Sequence, residues 1–318
     1  MKDISLRQLY YFDALARHQH FGKAARDCSV SQPALSVQIR DLETSLGAKL
    51  VERGARQITL SSLGEAFALR AHRILREVDE LADLARASGD PLTGPLRFGV
   101  IPTIAPYLLP AFIRHLNQQY PALQLQPRES ITETLLRDIT ENRLDVALVA
   151  LPVGDNSLQE AALLTERFVL VRPAADANQP VPDLNALRTM RLLLLEEGHC
   201  FREQTISYCN LRPRGGQTIM EASTLSTLVQ LVGSGVGITL LPEMAIPIET
   251  AAAAVAVTDL PEPQPTRQIG LIWRKNHPLN DSFNELADAL RAVTADYRSA
   301  INETPSTYRA KRLRAASR

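Results

Sequence analysis

The chain has 318 residues, 45% hydrophobic and 22% charged, with 35 basic and 35 acidic side chains and a formal net charge of zero. A chain this long can hold more than one domain, and its neutrality excludes a polycation that grips nucleic acid over its whole surface. The charge is uneven, however: residues 1–60 carry nine Lys/Arg against six Asp/Glu, and from Tyr308 onward Arg309, Lys311, Arg312, Arg314 and Arg318 stand without an acid.

The first thirty residues lack an apolar core and a small-residue cleavage site, so no signal peptide is expected. They read instead as helices. "SLRQLYYFDALARHQ" sets Leu6, Leu9, Tyr10, Phe12, Leu15 and Ala16 on one helical stripe, and "GKAARDC" follows as a short helix with Cys28 expected in the core. "SVSQPALSVQIRDLETSLG" is the next: Ser31 suits an N-cap, Pro33 falls in the first turn, and Leu35, Ile39, Leu42 and Leu46 form the buried face before Gly47 stops it. Two helices joined by a tight turn make a helix-turn-helix, and "KLVERGARQITLS" alternates around a glycine turn as a β-wing does. The outer side of the second helix offers Ser31, Gln32, Pro33, Ser36 and Arg40, and the wing offers Arg53 and Arg56. Gln pairs with adenine, Arg with guanine, and wing arginines suit phosphate or the minor groove, so double-stranded DNA is the expected partner. The competing reading pairs Arg40 with Glu43 or Glu52 on a solvated face.

Ser62 and Glu65 fit an S-x-x-E capping box at the start of a long helix. Leu60, Leu63, Phe67, Ala71, Ile74, Val78, Leu81 and Ala85 recur there at alternating spacings of three and four, a heptad seam that points to pairing of two chains. The helix ends at "SGDPLTGP", a linker. Beyond it "LRFGVI", "LQLQPRE" and "LDVALVAL" read as strands alternating with the helices "IAPYLLPAFIRHLNQQYP" and "TETLLRDITENR", a βαβαβ run that predicts a parallel sheet. Further strands are "FVLVR", "RLLLLE", "ITLLP" and "QIGLIWR", with helices near 201–209, 224–234 and 281–298. Two such α/β lobes place a ligand cleft between them. No run approaches the ~18 apolar residues of a membrane span, and "VIPTIAPYLLPAF" is broken by three prolines. The expected compartment is the cytoplasm, with no membrane partner and reduced thiols.

"FGKAARDCSVSQPALSVQIRDLETSLGAKLVER" and "TLSSLGEAF", followed by the α/β remainder, resemble the LysR-type transcriptional regulators over nearly the whole chain. Within that family "GPLRFGVIPTIAPYLLP", "LLLEEGHCFREQ" with a second cysteine nine residues after the first, "EASTLSTLVQLVGSGVGITLLP" and "RQIGLIWR" are similar to the OxyR-type peroxide sensors. The resemblance implies an N-terminal winged helix-turn-helix (1–60), a linker and dimerisation helix (61–90), a C-terminal two-lobed, periplasmic-binding-protein-like α/β regulatory domain (91–300) and a disordered basic tail (301–318). It also implies homodimers or homotetramers on promoter DNA, contact with RNA polymerase, and activation of peroxide-defence genes after a thiol is oxidised.

By the same resemblance Cys200 is the peroxidatic thiol and Cys209 the resolving one, and Thr103, Thr132, His199 and Arg267 line the peroxide pocket. Glu203 stands where the family often has Asp, to cap the helix start or orient an arginine, and His199 and Arg202 lie beside Cys200 to supply donors or positive potential. Were residues 200–209 an intact helix, the two thiols would be about 13 Å apart at the backbone and on opposite faces, too far for a disulfide, which needs roughly 7 Å. Oxidation then requires the segment to refold. Neither a metal nor a cofactor is expected, since His199, Cys200 and Cys209 lack a fourth ligand and the compact spacing of zinc motifs. Two rivals stay open: a LysR-type regulator that senses a small metabolite in the cleft, and a thiol peroxidase.

Overall fold

The structure, a computed structural model, describes residues 4–53, 58–87, 89, 92–209 and 220–303. The chain divides into two compact units, residues 1–89 and 90–318.

In the first unit α1 (Leu6–His18), α2 (Phe21–Asp27) and α3 (Gln32–Leu46) surround a small apolar core. Each begins on a side-chain cap. Ser5 and Gln8 exchange hydrogen bonds at the start of α1, the His20 ring accepts from the Gly22 and Lys23 amides, and Ser31 accepts from the Ala34 amide. Leu35, Ile39 and Leu42 are buried as the spacing requires, and Gly47 ends α3 with a positive φ of 67° that a side chain rarely adopts. Cys28 is half-buried at the C-cap of α2, at the rim of the core and not inside it, because the chain turns there towards α3.

Strands β1 (Val51–Arg53) and β2 (Ile58–Leu60) pair antiparallel as the wing. The long helix α4 (Ser62–Ala87) follows at once. Its cap is Ser61, not Ser62: the Ser61 hydroxyl accepts from the Gly64 amide and donates to the Lys49 carbonyl, which fastens the helix start to the wing. Gly64 allows this approach, since a Cβ there would stand 2.0 Å from the Leu50 carbonyl oxygen. Of the predicted seam, Phe67 meets Phe12 of α1 edge-on and Ala71 is buried, while Leu63, Ile74, Val78 and Leu81 are exposed, as are Leu69 and Leu84.

The second unit opens with β3 (Gly94–Val100), α5 (Ala105–Gln119), β4 (Leu123–Glu129), α6 (Thr132–Thr140) and β5 (Val146–Leu151). As predicted, β3 is parallel to both β4 and β5. The sheet as a whole is mixed. β6 (Leu158–Pro173) is a sixteen-residue strand, longer than the apolar run at 168–172 indicated, and β11 (Thr266–Arg274) returns from late in the chain to lie antiparallel between β5 and β6. Beyond Arg167 the same strand β6 leaves β11 and pairs antiparallel with β9 (Thr239–Pro242) on one side and β10 (Val255–Asp259) on the other. It therefore passes from one lobe into the next. In the second lobe α7 (Leu184–Thr189), β7 (Leu193–Leu195), α8 (Cys200–Cys209), β8 (Met220–Ala222), α9 (Leu225–Gly233) and α10 (Ile246–Glu249) complete the layer, with β7 and β8 parallel. α11 (Asn280–Glu303) covers the first lobe through Phe283, edge-on to the buried Trp273. Gly235, at φ 78°, and Gly237, where a Cβ would meet the Arg191 carbonyl oxygen at 2.3 Å, make "VGSGVGI" the helix-to-strand connection its order predicts. Among the described residues no helix is long and apolar enough to cross a membrane.

Candidate functional site

On the first unit the residues selected for DNA lie along one side of α3. Ser31, Gln32, Pro33 and Arg40 are exposed and Ser36 is partly so. Arg40 does not pair with Glu43. That carboxylate is buried and turned to the wing, where it accepts from the Leu50 and Val51 amides at 2.9 and 3.1 Å and from Lys49 at 3.1 Å. Burial pushes the Glu43 carboxyl up, but these donors outweigh it and hold the group below its ordinary value. Arg40 is thus left on the outer face, with its guanidinium available to a partner. Arg53 belongs to β1, and Arg56 lies outside the described residues.

On the second unit the anchor is Arg267, fully buried on β11. Its Nε donates to Glu166 Oε1 at 2.7 Å, Nη1 to the Thr103 hydroxyl at 2.8 Å and Nη2 to the Thr103 carbonyl at 3.0 Å. Glu166 is itself fixed by the Met244 amide at 3.1 Å. Glu166 and Arg267 face each other in the β6–β11 register at the point where the two strands part. Sequence reasoning missed Glu166; the available signal was an acid set among the apolar residues of a strand. A guanidinium has five N–H donors. Three are engaged here, two by Thr103 and one by Glu166.

Arg267 also lies over the Phe201 ring, 5.6 Å from its centroid, and so borders the turn that carries Cys200. Phe201 is buried edge-on against Phe168, 4.9 Å between centroids. The other border is α6. Gly198, at φ 92°, packs so closely that a Cβ there would meet Ile131 Cδ1 at 2.9 Å. The next residue, Thr132, has a buried hydroxyl with no hydrogen-bond partner among the described residues. Arg267, over Phe201, and Ile131, against Gly198, therefore border the segment 198–201.

Cys200 opens α8, half-buried at the edge of the core. Burial pushes His199 below the ordinary histidine range, opposed by Glu196, so the ring is neutral at pH 7 and acts as a hydrogen-bonding group rather than a cation. Arg202 is directed away from the thiol: its Nη1 donates to the Leu195 carbonyl at 2.9 Å and meets Glu221 at 2.7 Å. Glu203 is exposed on the outer face of α8, 3.9 Å from Arg202, and the structure does not bring it to the pocket. The longer arm that distinguishes it from Asp ends in solvent. Cys209 closes α8, fully buried, and its thiol is pushed up to about 11 by that burial, with Arg188 opposing. All three cysteines are free. At the start of α9 the Thr224 hydroxyl accepts from the Thr227 amide and Ser226 donates to Glu249, so these groups cap and brace the helix.

The comparisons with known proteins agree with this layout. Residues 6–65 match the bacterial regulatory helix-turn-helix protein, lysR family, and residues 89–295 match the LysR substrate binding domain. A probable hydrogen peroxide-inducible genes activator of Streptomyces viridosporus is 44% identical over 92% of this chain and 95% of its own. The DNA-binding transcriptional dual regulator OxyR of Escherichia coli K12 is 38% identical over 91% and 95%. Among solved structures, a full-length OxyR cysteine variant of Pseudomonas aeruginosa superposes with a TM-score of 0.71 at 33% identity, covering 92% of this chain and 96% of that one. An OxyR variant of Corynebacterium glutamicum with H2O2 bound gives 0.64 at 34%, covering 94% and 95%. The chain belongs to the LysR family of helix-turn-helix transcriptional regulators, proteins that are not enzymes, and within that family to the OxyR-type branch.

Proposed function

We propose that this protein is a cytoplasmic, promoter-binding regulator that senses hydrogen peroxide through Cys200 and Cys209 and activates peroxide-defence genes together with RNA polymerase. The observation that carries the reading is α8 itself. Two free thiols stand at opposite ends of one intact helix, the first half-buried and followed by Phe201, over whose ring Arg267 lies, the second sealed in the core. The Cys200 thiolate attacks one peroxide oxygen, the O–O bond breaks, and the departing hydroxide takes a proton to leave as water. The Arg267 guanidinium and the Thr103 and Thr132 hydroxyls orient the peroxide and stabilise the charge that develops on the leaving oxygen. The sulfenic acid on Cys200 is then attacked by Cys209, which forms the disulfide and releases a second water. Two electrons pass from two thiols to one peroxide.

Nine residues of helix separate the cysteine Cα atoms by about 13 Å, so closure requires α8 to unwind, and the disulfide holds a form the reduced chain does not favour. Residues 1–60 bind DNA through Ser31, Gln32, Pro33, Ser36 and Arg40, with Arg53 and Arg56 from the wing. The linker helix 61–90 pairs chains into homodimers and homotetramers, and residues 91–300 carry the sensor. The basic tail is placed at 301–318; α11 continues to Glu303, and residues from 304 lie outside the described residues.

The test treats reduced protein with one equivalent of peroxide, maps disulfides by mass spectrometry and footprints promoter DNA before and after. A Cys200–Cys209 link with an altered footprint is expected. Either an absent link or an unchanged footprint sinks the mechanism. Induction that survives Cys200→Ser favours a metabolite sensor, and repeated turnover of peroxide with a reductant and no DNA binding favours a peroxidase.

A further inference from the structure

Helix α8 is held unequally at its two ends. In the first half Phe201 is buried against Phe168, and the Arg202 guanidinium grips the Leu195 carbonyl and the Glu221 carboxylate of the neighbouring strands. Past the buried Thr205, whose hydroxyl donates to the Phe201 carbonyl within the helix, Ser207 is exposed and Ile206 and Tyr208 are only partly covered. At the far end the Arg188 side chain reaches over from α7, and its Nε donates to the Cys209 backbone carbonyl at 3.2 Å. The last carbonyls of a helix lack intrahelical donors, and a cation at that end is favourable.

We propose that Arg188 is a positioning residue for the thiol pair: it fastens the C-terminal turn of α8 in the reduced state, so that disulfide closure begins with release of this contact and Cys209 moves to Cys200. The inference rests on the peroxide-sensing reading and names the step that controls it. The electron balance is unchanged: the Cys200 sulfenic acid is reduced by Cys209 as the S–S bond forms and water leaves. The chemistry of Cys209 runs the same way. Buried, its thiol stays protonated at neutral pH, and once released into water it approaches the ordinary cysteine range of about 8.5. Unfastening the helix end therefore also activates the resolving thiol.

The experiment uses full-length protein, as wild type, Arg188→Gln and Arg188→Lys, equilibrated in dithiol/disulfide buffers of graded potential, with the Cys200–Cys209 fraction read by mass spectrometry. Loss of the fastening in Arg188→Gln shifts the equilibrium roughly fivefold towards the disulfide, a midpoint about 20 mV more negative at 29.6 mV per tenfold. Arg188→Lys restores charge at the helix end and recovers at least half of that shift. The rate of sulfenic acid formation at Cys200, measured in a Cys209→Ser background, does not change. Hydrogen exchange on reduced wild type, which needs no variant to fold, shows amides 206–209 opening faster than 203–205. A midpoint unmoved by Arg188→Gln, or a C-terminal turn no faster than the first half, overturns the proposal. If wild type forms no Cys200–Cys209 disulfide with peroxide, the sensing reading fails instead, and faster exchange of amides 206–209 in reduced Arg188→Gln than in wild type still decides whether Arg188 fastens the helix.

Discussion

Two buried carboxylates set the behaviour of this protein residue by residue. Glu166 is the counter-charge of a fully buried guanidinium, so removing it leaves Arg267 unpaired in the core. Glu166→Ala is expected to destabilise the regulatory unit by about 3–5 kcal/mol, read by urea unfolding, and to slow oxidation of Cys200. Glu166→Gln keeps an acceptor and costs less. Glu43 carries its own pH signature. Because its carboxyl is held below the ordinary value, ionised Glu43 stabilises the first unit fully above the unfolded glutamate value of about 4.3, and that contribution is lost as the pH falls through the lower folded value. Thermal melts of wild type should fall across that acid window, while Glu43→Gln, already weakened at pH 7, shows a flatter profile.

At the scale of elements, what was legible in the sequence had a local cause. α3 was readable from its cap, its proline and its stop, all within nineteen residues, and α8 from the glycine and the thiol at its start. What escaped depends on partners distant along the chain. β6 was shortened to its apolar half because Glu160 and Glu166 interrupt the pattern, and Glu166 makes sense only beside Arg267, 101 residues later. The mixed sheet escaped for the same reason, since nothing near β5 or β6 announces that β11 will enter between them. Ser62 was chosen over Ser61 because the capping box is a local rule, and the hydroxyl that caps also serves the wing. That junction is tight. Gly64→Ala drives a methyl into the Leu50 carbonyl and is expected to cost about 3 kcal/mol, seen as a lower melting temperature of the first unit and weaker operator binding.

At the scale of the whole molecule, α4 carries large apolar side chains that stay exposed among the described residues. Ile74, Val78 and Leu81 continue the predicted seam past the turns that pack on α1, and Leu81 is 64% exposed. Burying one leucine is worth about 1.5–3 kcal/mol. Leu81→Glu is therefore expected to weaken self-association at least about tenfold, measured by sedimentation velocity, without altering disulfide formation within the chain. The insertion of β11 also bears on how the protein is made. A chain leaving the ribosome presents its helix-turn-helix first, and the helices and wing of that unit are complete by Ala87. The sensor waits. Cys200 and Cys209 emerge well before residue 267, so the nascent thiols exist for a time without Arg267, and the first lobe's sheet stays open until β11 fills it. On the proposed reading, a product truncated before β11 carries both thiols but lacks the guanidinium that would orient peroxide, and is expected to sense it poorly.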